Sequence, residues 1–171
     1  AFEAYVKATL TDDGQKKLAY LQNAMREFER ANPGSSYKQA AFELGHLSFA
    51  QREYKRAAEH FSLLQRKDPH YAEAAFYAAL SYWHAGELQS ALDALLPLTG
   101  DMPLTSIFNN AGALATQAAR AEKNPAKRET LLKQATNILG RAVESNPDDP
   151  DVRYNYAYAL ILSGKFAEAA E

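Results

Sequence analysis

An all-α fold is predicted by three observations. Ala occurs 33 times in 171 residues while Val and Ile occur three times each, so good helix formers abound and β-branched residues are scarce. Apolar residues recur at helical spacing in one segment after another. Those segments close on Asn32-Pro33, Asp68-Pro69, Met102-Pro103 and Asn146-Pro147, whose prolines lie 36, 34 and 44 residues apart. A period of this length is the mark of a repeat architecture.

The elements follow in order. Ala1 to Leu10 predicts a short amphipathic helix, cut from the next by Thr11-Asp12-Asp13-Gly14. Leu18, Leu21, Met25 and Phe28 then form one apolar stripe that ends at Asn32-Pro33. From residue 38 the text reads Leu44-Gly45, Tyr54, Ala57, Phe61 and Leu64 with a break between Gln51 and Glu53, which predicts a helix, a tight turn and a second helix. The same grammar returns as Ala78-Ala79, Tyr82, Gly86, Leu88, Ala91 and Leu95, and again as Phe108, Ala111-Gly112, Ala135, Leu139 and Ala142. It opens a last time with Tyr154, Tyr156-Ala157, Leu160, Gly164, Phe166 and Ala169. Small residues mark where helices cross closely and the large ones fill the gaps beside them. Tyr54, Phe61, Tyr82, Leu95, Leu139 and Phe166 are therefore expected in the core.

Composition narrows the function classes. A net charge of -2 with 47% hydrophobic residues fits a soluble chain with length enough for a core and speaks against nucleic acid as partner, since phosphate-neutralising proteins carry a basic excess. Without Cys there is no disulfide framework, thiolate nucleophile or Cys-based zinc site. The longest uncharged stretch, Met102 to Ala119, contains Pro103, Asn109, Asn110 and Gln117 and is too polar to span a bilayer. Cytoplasm and periplasm both remain open. The chain starts at Ala1 without a basic-then-apolar leader, which reads as a part excised from something longer.

The pattern resembles the tetratricopeptide repeat, whose 34-residue signature has an aromatic, Leu-Gly, a second aromatic, Ala and then Phe four residues on, and a closing Pro. Leu44-Gly45, Tyr54, Ala57, Phe61 and Pro69 carry the resemblance best. It implies an all-α right-handed superhelical solenoid of antiparallel hairpins, here one domain. Its parts are 1-37 as a divergent first repeat or cap, repeats at 38-71, 72-105 and 105-149, and an incomplete repeat at 150-171. The distance from Ala115 to Ala135 exceeds that from Ser48 to Ala57 by 11 residues, close to three helical turns. The 105-149 repeat is thus expected to lengthen both helices around Asn124-Pro125, with a basic tip of Arg120, Lys123, Lys127, Arg128 and Lys133. Trimming that tip is expected to leave the fold intact. The 150-171 repeat leaves an inner face open, so apolar surface and self-association are expected there.

Chemistry is largely missing. No His-Glu-x-x-His, GxxxxGK[ST], GxGxxG or GxSxG occurs, and Glu43-x-x-His46 lacks the second copy that a helical di-iron site requires. No enzymatic activity, metal or cofactor is expected. Ligands in this family usually occupy the concave face lined by first helices. If Ala41, Leu44, Gly45 and Ser48 pack inward, the neighbouring face carries Gln39, Phe42, Glu43 and His46. The register continues through Glu73, Phe76, Tyr77, Leu80 and Trp83, then Asn109 and Asn110, then Asp151, Tyr154, Asn155 and Tyr158. Aromatics, amides and acids stand here without Lys or Arg. That predicts a non-catalytic scaffold binding a peptide or helix with apolar anchors, neutral or basic rather than an acidic carboxyl-terminal tail. Two alternatives are a regulatory or sensory arm of a multidomain bacterial signalling or envelope protein, whose repeat lead-in the opening AFEAYVKATL is similar to, and a self-association module.

Overall fold

The computed structural model describes residues 1–170, whose regular structure is helical, with turns and short irregular links between the helices. The chain divides into two compact units, 1–85 and from Gly86 onward. The division falls between the two helices of the 72-105 repeat.

The first unit contains α1 (Phe2–Thr9), α2 (Gly14–Ala31), α3 (Lys38–Ala50), α4 (Tyr54–Phe61) and α5 (Tyr71–His84). Asp13 starts α2 by accepting the Gln15 and Lys16 backbone N–H groups at 3.0 and 3.1 Å, which satisfies donors that the first turn cannot. Ala4 and Ala8 of α1 cluster with Leu21 and Ala24 of α2 and with Ala40 and Leu44 of α3, and Tyr37 lies between Phe28 and Tyr5 with ring centroids 5.2 and 5.4 Å away. The opening segment thus seals the near side of α3.

The second unit contains α6 (Leu88–Leu95), a single turn α7 (Leu98–Asp101), α8 (Thr105–Ala121), α9 (Pro125–Ser145) and α10 (Pro150–Leu162), then a 3-10 turn at Glu168–Ala170. Asn124 and Asp149 each cap the helix that follows, through Ala126 and Lys127 and through Asp151 and Val152. Pro125 and Pro150 occupy the first helical position, where a missing N–H costs nothing. At 17 and 21 residues, α8 and α9 outrun the 8 to 14 residues of α3 to α6, and α9 also exceeds the 18 of α2. Their seam is closed by buried Ala118, Ala119, Leu131 and Leu132, whereas no residue from 120 to 130 is buried. Arg128 donates to the Glu122 carbonyl oxygen at 2.8 and 3.1 Å and Lys133 pairs with Glu129 at 2.7 Å, so part of the basic tip is spent on holding the hairpin itself.

Two helix pairs approach closely over glycine. A Cβ on Gly45 would lie 2.6 to 2.8 Å from three carbons of the Phe61 ring, and one on Gly112 would lie 2.8 and 3.1 Å from the two methyl carbons of Leu139. Phe61 and Leu139 are correspondingly buried. The tight turns after α3, α5 and α10 each place one residue in the left-handed region. Gly86 and Gly164 supply it at φ +78 and +75, but the equivalent position after α3 is Arg52, at φ 61. The fold departs from expectation at Phe166, which is 68% exposed rather than in the core; among the described residues it precedes a 3-10 turn, with no second helix packed over it.

Gly112→Ala should cost about 1–3 kcal/mol by overpacking against Leu139, measured by urea denaturation. Arg52→Gly should raise stability by roughly 0.5–1 kcal/mol, since glycine removes the left-handed steric penalty and returns part of it as chain entropy. Replacing 120–130 by a short turn should leave the melting temperature nearly unchanged; a large drop would show that the tip is structural. A pH dependence is expected from His60, which has a buried Nε2 with no hydrogen-bond partner among the described residues. Burial, and then the positive charge of Arg56, hold its pKa below the ordinary 6.5 against the smaller pull of Glu59 and Glu53. The unfolded chain then takes up the proton first as pH falls, so stability contributed by neutral His60 is complete above 6.5 and declines below it. His60→Gln should flatten the decline in stability as pH falls below about 6.5; an unchanged slope would refute the assignment.

Candidate peptide-binding faces

In the first unit the predicted face is built from α3 and α5, and its aromatic residues divide into two groups. Phe42 is only 9% exposed, with His70 stacked on it at 4.6 Å. His46 stands edge-on to Phe42, Phe61 and Tyr77 at 4.6, 5.0 and 4.7 Å, and Tyr77 stacks on Phe61 at 5.5 Å. These rings form the seam that joins α3, α4 and α5, with the packing value of tilted and stacked aromatic pairs. Phe76 and Trp83 are instead each 40% exposed, and half-buried Leu80 lies between them. Positions 76, 80 and 83 share one side of α5, so the three make a continuous apolar ridge.

The polar members of that face are engaged differently. Gln39 is exposed. Glu43 is half-buried and pairs with Lys17 of α2 at 3.1 Å, so a cation does reach this face, from the divergent opening segment where the repeat register could not be carried. Glu73 lies 3.9 Å from both His46 Nε2 and His70 Nδ1. Glu43 and His46 thus turn to different partners.

In the second unit α8 and α10 form the corresponding face. Asn155 Nδ2 donates to Asn109 Oδ1 at 2.9 Å, tying the two helices together. Tyr154 and Tyr158 stand one helical turn apart with parallel rings 6.2 Å between centroids, while Tyr156 points away, over Gly140 of α9. This resolves how three alternating tyrosines are accommodated on one helix. A cleft of about 620 Å³ lies beside the tyrosine pair, walled by Leu88, Ala113, Thr116, Gln117, Arg120, Ala121 and Asn155. The Arg120 guanidinium carbon sits 5.8 Å from the centre of the Tyr158 ring. The expectation of a face without Lys or Arg is therefore corrected here. Arg120 continues the series Asn109, Ala113, Gln117 by one more turn of α8, and extending the register into the inserted length would have found it. Asn110 is exposed and belongs to a second recess of about 440 Å³ with Asn109, Asn146, Asp149 and Asp151.

Repeated helical hairpins with small-residue crossings define a helical-repeat protein. Family profiles described as Tetratricopeptide repeat match residues 18–72 and 42–98, and 129–171, together more than half of the chain. The chain belongs to the tetratricopeptide repeat family. A search of the curated proteins finds no match. Among solved structures it is similar to MamA from AMB-1, at 14% identity over 98% of this chain and 82% of that one with TM-score 0.67. It is also similar to TTC0263, a thermophilic TPR protein of Thermus thermophilus, at 20% identity over 77% and 69% with TM-score 0.56. A tetratricopeptide repeat protein of Parabacteroides merdae matches at 18% identity over 99% and 75% with TM-score 0.54. These likenesses establish the fold. Tetratricopeptide repeats generally mediate protein-protein interaction and are typically non-catalytic. Among the described residues no helix is long and apolar enough to cross a membrane.

The amide bridge gives a direct check on the second face. A double-mutant cycle on Asn109→Ala and Asn155→Ala should return a coupling energy of about 1 kcal/mol, the net worth of one hydrogen bond. Additive effects would mean that the two amides do not join α8 to α10.

Proposed function

We propose that this chain is a non-catalytic scaffold whose first-helix faces bind peptide or helical segments of partner proteins. The observation that carries the reading is the ridge of Phe76, Leu80 and Trp83 on α5, with two large rings 40% exposed beside a seam that already contains its own aromatic filling. Side chains of this size left at a surface bury much area on binding and lose little conformational freedom. In the second unit Tyr154, 69% exposed, offers the same kind of contact, and the amides of Asn110 and Asn155 suit a peptide backbone. Gln39 and Glu73 border the first face, and Phe42, His46, Tyr77 and Glu43 support it from beneath.

The test is selection from a displayed library of random twelve-residue peptides by the chain, repeated with Phe76→Ala and Tyr154→Ala combined. The parent should enrich sequences with aliphatic or aromatic anchors, and the double variant should lose that enrichment with an unchanged circular dichroism spectrum. Equal enrichment by both would refute the reading. A second reading, self-association, is favoured by Ile161, Leu162 and Phe166, exposed by 47, 36 and 68%. It predicts a solution mass that rises with concentration and that Phe166→Ser holds at the monomer; a constant monomer mass for the parent would rule it out.

A further inference from the structure

The cleft between α8 and α10 has a charge pattern that a general peptide groove does not require. Arg120 is exposed and rests on the Tyr158 ring, and no carboxylate among the described residues pairs with it. Apolar groups, Ala113, Ala121 and Leu88, line the same cleft. The recess at the other end of the face holds the carboxylates of Asp149 and Asp151 instead. An anion entering this face is therefore drawn to one end and repelled from the other.

We propose that this cleft seats an acidic side chain, Asp or Glu, from a segment of a partner protein, with an adjacent aliphatic or aromatic residue against Tyr154 and Tyr158. The proposal rests on the peptide-binding reading above and names the chemistry of its second face. A guanidinium lying on an aromatic ring is partly ordered before binding and still presents its N–H donors to a carboxylate. Apolar neighbours lower the local dielectric and strengthen the contact relative to one in open water. Asn155 spends its Nδ2 on Asn109, which leaves its carbonyl oxygen for a peptide N–H. The sequence expectation of neutral or basic ligands drew on Glu43, Glu73 and Asp151. None of these lines this cleft, and Glu43 is already paired with Lys17.

The experiment is selection from the same displayed library by the full chain and by Arg120→Glu, followed by fluorescence anisotropy on the enriched peptide and its Glu→Gln and Glu→Lys versions, all acetylated and amidated. The parent should enrich an acid next to an apolar residue. Glu→Gln should weaken its binding about tenfold, the scale of one charge-assisted hydrogen bond. Arg120→Glu should reverse the order and prefer the Lys peptide, and this reversal is a readout that loss of structure cannot produce. A parent consensus without an acid, or the same acidic consensus from Arg120→Glu, overturns the inference and leaves the peptide-binding reading standing. No consensus from the parent overturns both.

Discussion

The close crossing of paired helices over glycine is the constraint on which the rest depends. Phe61 occupies the space where a side chain on residue 45 would be, and Leu139 does the same at residue 112. Because the ring of Phe61 reaches the backbone of α3, the aromatic seam of Phe42, His46 and Tyr77 can close around it. In α8 and α9 the same approach continues along an unusually long hairpin, through Ala118, Ala119, Leu131 and Leu132. Small residues inside the crossings let large ones fill them, and what remains outside the crossings is left at the surface.

That division separates buried from exposed aromatics along single helices. On α5, Tyr77 turns into the seam while Phe76, one residue earlier, belongs to the exposed ridge. On α10, Tyr156 meets α9 over Gly140 while Tyr154 and Tyr158 stand beside the cleft. Neighbouring positions on a helix point about 100° apart, which is enough to give adjacent aromatics opposite duties.

The fold was legible in the sequence because its signals are local. Proline spacing, paired small residues and the turn at 51–53 mark the hairpins wherever the chain sits in space. The faces were legible only as directions. Helical register places Phe42 and Phe76 on a common side, yet it does not say that His70 stacks on Phe42 and fills its space. Lys17 and Arg120 were missed for a related reason, as one lies in a segment outside the repeat pattern and the other in its inserted length. Arg52 shows the limit at a turn: the position is defined by Gly86 and Gly164, and a residue without glycine's freedom occupies it all the same.

On the proposed function, the exposed rings recognise a ligand while the buried rings hold the helices together. An NMR titration of the chain with its selected peptide, followed at aromatic side chains, tests this most directly. Binding should shift the exposed rings of the face engaged, Phe76 and Trp83 in the first unit or Tyr154 and Tyr158 in the second, and leave Tyr5, Phe28 and Tyr37 close to their free positions. Shifts concentrated on Tyr5, Phe28 and Tyr37, or confined to the hairpin tip from Lys123 to Arg128, would contradict it.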